Sequence, residues 1–68
     1  MTLSLILNGE PRRLEAVENV AELVAALGLE PRKVAVERNL EIVPRSAYGQ
    51  TRLADGDRIE IVHFIGGG

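Results

Sequence analysis

The sequence predicts a small α+β roll, a mixed sheet of four to five strands with one helix laid on one face. Three observations predict it. Leu3, Leu5 and Leu7 recur at every second position, the period of a strand with one buried face. Val20, Leu23, Val24 and Leu27 fall at i, i+3, i+4 and i+7, the stripe of a helix with one apolar side. Pro11 and Pro44 interrupt or end two strand-like runs, whereas the first and last runs carry no proline.

The first strand spans Thr2 to Leu7 and is followed by Asn8-Gly9, a pair that tolerates the positive φ angles of a type I′ hairpin turn. The return strand, Glu10 to Leu14, contains Pro11, which has no N–H for the ladder, and is expected at an edge. Asn19 is placed to cap the helix, with Glu22 three residues on as its capping-box partner. Gly28 supplies a left-handed residue that closes the helix, and Leu29 folds back as the accompanying apolar contact. So short a helix is stable only when its stripe lies on a sheet.

Beyond Pro31, Val34-Ala35-Val36 reads as a third strand, with a connection beginning at Arg38-Asn39. Glu41-Ile42-Val43 is a fourth, stopped by Pro44 and again an edge. Arg45 to Leu53 has no clean period and reads as a loop with a short helical turn. Asp55-Gly56-Asp57 is a turn into the last strand, Arg58 to Phe64. With the second and fourth strands at edges, the first and last form the central pair. If they run parallel, the route between them is a crossover carrying the helix. That arrangement is a ubiquitin-like β-grasp roll, expected over residues 1–65, with 66–68 as a flexible tail.

Composition limits the function. The chain has 68 residues, a net charge of −2 with both signs interspersed, and no cysteine. A single small domain is implied, without disulfides, a thiolate metal site or a cysteine nucleophile. Two aromatic residues, Tyr48 and Phe64, and no basic stripe argue against nucleic acid. No apolar run has the length of a membrane span and no secretory leader is evident, so a cytoplasmic setting is expected. Paired metal-ligand spacings, a Ser/His/Asp grouping and a phosphate-cradling loop are absent from the sequence. His63 has no acid or nucleophile in view and is expected to pack rather than catalyse.

Two features point to a partner. In the last strand Val62 and Phe64 alternate with Ile59, Ile61 and His63, so they face away from the helix and are expected to be partly exposed as a docking surface with Ile65. The sequence then closes on Gly66-Gly67-Gly68. Three glycines add no packing and carry a large entropic cost of ordering. Extended, they form an arm of about 10 Å. They present the α-carboxylate of Gly68 to a narrow site on another protein.

The residues Val34-Ala35-Val36-Glu37-Arg38-Asn39, Glu41-Ile42-Val43-Pro44-Arg45-Ser46, Asp55-Gly56-Asp57-Arg58-Ile59-Glu60-Ile61-Val62 and Ile65-Gly66-Gly67-Gly68 resemble the ThiS family of sulfur carriers in thiamin biosynthesis. Leu7-Asn8-Gly9-Glu10 and the helix around Val20 to Gly28 are similar too, so the resemblance covers essentially the whole chain. It departs in its helix cap, Asn19 where Thr is frequent, and in three terminal glycines against a defining pair. The resemblance implies a β-grasp fold and a carrier that is not itself an enzyme. It implies that a ubiquitin-activating-like adenylyltransferase of the ThiF type consumes ATP to adenylate Gly68. A persulfide donor then converts Gly68 to a thiocarboxylate, and the sulfur passes to thiazole synthase of the ThiG type. No cofactor or metal is expected on the carrier itself. Three other readings stay open: the small subunit of molybdopterin synthase, a ubiquitin-like protein modifier, and a plain binding module.

Overall fold

The computed structural model describes residues 2–64. The strands are β1 (Thr2–Leu7), β2 (Glu10–Glu15), β3 (Val34–Arg38), β4 (Glu41–Val43) and β5 (Arg58–His63), and one helix, α1 (Val20–Ala26), lies between β2 and β3. They form one five-stranded sheet in the order β2-β1-β5-β3-β4. β1 and β5 run parallel at Ile6↔Arg58 and Leu7↔Ile59, and the other neighbours are antiparallel. The expected parallel pairing of first and last strands is therefore present, and both proline-marked strands are edges.

The core lies between α1 and one face of the sheet. Val20, Leu23 and Val24 of the helix meet Leu5, Leu7, Val34, Val36, Val43 and Ile59 of the strands, with Val17 and Tyr48 closing the sides. Tyr48 comes from the aperiodic stretch, in a 3-10 turn over Arg45–Gln50, and its hydroxyl donates a long bond to the Val34 carbonyl at 3.4 Å.

Both ends of α1 follow the expected chemistry. Asn19 Oδ1 accepts from the Glu22 N–H at 2.8 Å. The Glu22 carboxylate reaches back to the Glu18 N–H at 2.7 Å, one residue earlier than a strict capping box, and Asn19 itself forms a bridge with Arg52. At the other end Gly28 has φ +73°, its N–H donates to Ala25, and the Leu29 N–H donates to Val24. These two bonds are the Schellman pattern, with Leu29 packed against the core.

The structure corrects several boundaries. β2 runs to Glu15, and β5 ends at His63 with Phe64 just beyond it. β3 continues past Val36 to Arg38 and turns through Asn39 and Leu40, both at positive φ (51° and 70°), straight into β4. A leucine at the second turn position conceals this hairpin, because glycine is the usual occupant there. His63 is exposed rather than packed. It pairs with Val34 at the start of β3.

Candidate functional site

The site is the face of the sheet that α1 does not cover, ending at Phe64. β5 sits at its centre because Asp55-Gly56-Asp57 docks it against β1. Asp55 Oδ1 accepts the Ser4 N–H at 2.9 Å, the Gly56 N–H donates to the Ser4 carbonyl at 2.8 Å, and the Asp57 carbonyl accepts the Ile6 N–H at 2.9 Å. Gly56 takes φ +88°, a conformation that other residues rarely adopt. The motif thus extends the short parallel ladder by one turn.

The Asp57 side chain ties this turn to the β3–β4 hairpin. Its Oδ2 accepts from Arg38 Nε at 2.8 Å and the Ala54 N–H at 2.9 Å, and its Oδ1 from Asn39 Nδ2 at 3.0 Å. Burial pushes the carboxyl pKa up, but the Asn39, Ala54 and Arg38 donors outweigh it and hold the group below its ordinary value of 3.8.

Two asparagines, one from each hairpin turn, flank β5. Where β1 turns away, the Asn8 N–H donates to the Ile59 carbonyl at 2.8 Å. Its side chain then acts as a further strand residue, accepting the Ile61 N–H at 2.8 Å and donating to the Ile61 carbonyl at 3.3 Å. On the other side the Asn39 N–H donates to the Arg58 carbonyl, and Asn39 Oδ1 accepts the Arg58 N–H. The Phe64 N–H donates to the Lys33 carbonyl at 2.7 Å, so the strand remains tethered through its last described residue.

This frame presents Val62, 60% exposed, and Phe64, 53% exposed, as alternation in the last strand predicted. Val62 pairs with Ala35, and in the next row Ile42, Glu37 and Glu60 lie side by side across β4, β3 and β5. Ile42 is 77% exposed on this face, and Leu40, in the adjoining turn, is 81% exposed. Sequence reasoning did not single out these two. The signal for Ile42 was its position beside inward-facing Val43 in a strand, whereas Leu40 lay in an unrecognised turn. Ile65, Gly66, Gly67 and Gly68, predicted as docking residue, tail and sulfur attachment point, lie outside the described residues. Among the described residues there is no grouping of His, Asp and Glu that could hold a metal ion, and no helix long and apolar enough to cross a membrane.

Comparison with known proteins agrees with this architecture. The sequence pattern of the ThiS family matches residues 5–68. A thiazole synthase of Paramagnetospirillum magneticum is 56% identical over 97% of this chain, and one of Magnetococcus marinus is 50% identical over the same share. The chain spans 20% of the length of each. The sulfur carrier protein ThiS of Bacillus subtilis is 49% identical over 72% of this chain and 74% of its own. Among solved structures, the crystal structure of the thiamine biosynthesis protein ThiS from Geobacter metallireducens superposes with a TM-score of 0.81. It is 39% identical, covering 97% of this chain and all of that one. A helix on one face of a β2-β1-β5-β3-β4 sheet, the turn that docks β5 on β1, and a sequence match running through Gly68 converge on one conclusion: the chain belongs to the ThiS family.

Proposed function

We propose that this domain is a sulfur carrier of thiamin biosynthesis, acting in the cytoplasm as a substrate of other enzymes rather than as a catalyst. The observation that carries the reading is the family match through Gly66, Gly67 and Gly68. The exposed Val62 and Phe64, on a strand whose backbone is hydrogen-bonded to its neighbours as far as Phe64, support it.

Gly68 offers a carboxylate, a poor acyl donor until its oxygen becomes part of a better leaving group. A ThiF-type adenylyltransferase supplies this: the Gly68 carboxylate attacks the α-phosphate of ATP, forming an acyl-adenylate and releasing pyrophosphate. The outer sulfur of a persulfide displaces AMP, and a thiol then cleaves the S–S bond to the donor, leaving a thiocarboxylate and a disulfide. Thiazole synthase, of the ThiG type, takes that sulfur into the thiazole ring. The two relatives named thiazole synthase, in which a region like this chain makes up 20% of the length, support that partner. ATP and its metal are bound by the activating enzyme. Val62, Phe64 and Ile65 dock the partner, and Gly66 and Gly67 pass through a channel too narrow for a Cβ.

The test uses the absence of cysteine. The chain is incubated with the activating enzyme, ATP and a persulfide donor, treated with a thiol alkylator, and its intact mass recorded. One adduct mapping to Gly68 is expected. No adduct, or an undiminished one on deleting Gly68, overturns the reading. Adding thiazole synthase or the molybdopterin-synthase large subunit shows which of them discharges the thiocarboxylate.

A further inference from the structure

Asn8 and Gly9 are bonded neighbours at the exposed tip of the first hairpin, with φ +49° and +84°. Nothing lies within 4 Å of the position a Cβ on Gly9 would occupy, so the Gly9 nitrogen is not sterically shielded by a side chain of its own or by a neighbour on that side. A carboxamide followed by an unhindered backbone nitrogen has an intrinsic reaction available. The Gly9 nitrogen attacks Asn8 Cγ, forming a C–N bond. The bond from Cγ to Nδ2 breaks, and ammonia leaves with the proton lost by the Gly9 amide. One water molecule then opens the five-membered imide, giving aspartate if one carbonyl is attacked and isoaspartate if the other is. The net change is asparagine plus water to an acid plus ammonia, with no oxidant or catalyst.

In this fold the reacting carboxamide is occupied. Its oxygen accepts from the Ile61 N–H at 2.8 Å and its nitrogen donates to the Ile61 carbonyl at 3.3 Å. Ring closure requires both bonds to break, so it proceeds from the fraction of molecules in which this contact is open. The reaction also prevents the contact from re-forming as it was. An aspartate keeps an acceptor for the Ile61 N–H but sets a second negative oxygen against the Ile61 carbonyl, where a donor had been. An isoaspartate adds a methylene to the backbone of a two-residue turn whose length sets the β1–β2 register.

We propose that Asn8 is a self-modification site, which converts to aspartate and isoaspartate through Gly9 when its clasp on Ile61 opens, and that conversion releases the β1 side of β5 from Ile61 onward. The β3 side, with Val36↔Ile61, Ala35↔Val62 and Val34↔His63, stays paired. The modified domain therefore remains folded while the strand bearing Val62 and Phe64 is held along one edge only. The proposal does not depend on what docks there.

Asn39 provides an internal control. It occupies the same turn position at φ +51°, but Leu40 follows it and hinders attack by the next nitrogen. The full chain is aged in mildly alkaline buffer, folded and in urea, and conversion at each asparagine is followed by peptide mapping that separates aspartate from isoaspartate. Conversion at Asn8 is expected in both samples, about tenfold or more slower when folded, with Asn39 unchanged over the same period. In the aged, folded protein and in Asn8→Asp, amide exchange at Ile61 is expected to rise about tenfold, with far-UV dichroism retained. No conversion in folded chain while the urea sample converts fully overturns the proposal, as does conversion that leaves Ile61 exchange unchanged.

Discussion

Asn39 and Asp57 lock the β3–β4 hairpin to the entry of β5: the Asn39 carboxamide donates to Asp57 Oδ1 at 3.0 Å and accepts the Arg58 N–H at 2.9 Å. Because the same carboxylate also receives Arg38 and the Ala54 N–H, one side chain joins a turn, a hairpin and a cation.

Removing that carboxylate leaves several donors without an acceptor in a part-buried place. Asp57→Ala is expected to lower unfolding free energy by about 2–3 kcal/mol, read as a shift in the urea midpoint at unchanged slope.

The same group makes stability pH-dependent in a definite direction. Its folded pKa lies below 3.8, so the unfolded chain takes up the proton first as acid is added. The contribution is complete above the ordinary carboxylate value and is lost as pH falls below it through the folded pKa. Urea midpoints measured across this range should decline more steeply for the wild type than for Asp57→Asn.

Leu40 adopts φ +70° in an exposed turn, a conformation that costs a branched side chain about 1 kcal/mol or more. Leu40→Gly removes that strain but loosens the unfolded chain, so a net gain of about 0.5 kcal/mol is expected by denaturation. A loss of stability would mean that the leucine makes a contact in the folded domain.

Val62→Asp and Phe64→Asp place a charge on the uncovered face without touching the core. Stability should change by no more than about 1 kcal/mol, while adenylation by the activating enzyme falls. Cooperative unfolding with loss of structure in either variant would place the side chain in the core instead.

Asn19→Ala removes the acceptor for the Glu22 N–H from a helix of only seven residues. A cost of about 1 kcal/mol is expected, read by thermal or urea unfolding.

Much of this was legible in the residues because it is local. Asn8-Gly9, Asn19 with Glu22, Gly28 with Leu29 and the prolines each act within a few positions, and the structure shows them acting there. Alternation likewise foretold that Val62 and Phe64 would be exposed. What escaped was non-local or disguised. Asp55-Gly56-Asp57 read as a turn, but its bonds to Ser4, Ile6 and Asn39 join segments far apart in the chain. Tyr48 became core from a stretch without a period. Leu40 hid a hairpin, and His63 is exposed at the last position of β5 although its cross-strand partner Val34 is buried. The chemistry proposed for the tail was legible only through the resemblance, since glycines specify access and not reaction.

The pairing of β1 with β5 also governs the order in which the domain is made. These are the earliest and latest strands to leave the ribosome, so the central ladder has to wait for β5 and the closure of a loop of some fifty residues. Until then β1 and β2 form at most a hairpin of marginal stability. The uncovered face, with Val62 and Phe64, is therefore incomplete until β5 has paired, and a chain that stops short of β5 has none to offer. Any partner that docked on Val62 and Phe64 would thereby read out completed folding of the domain.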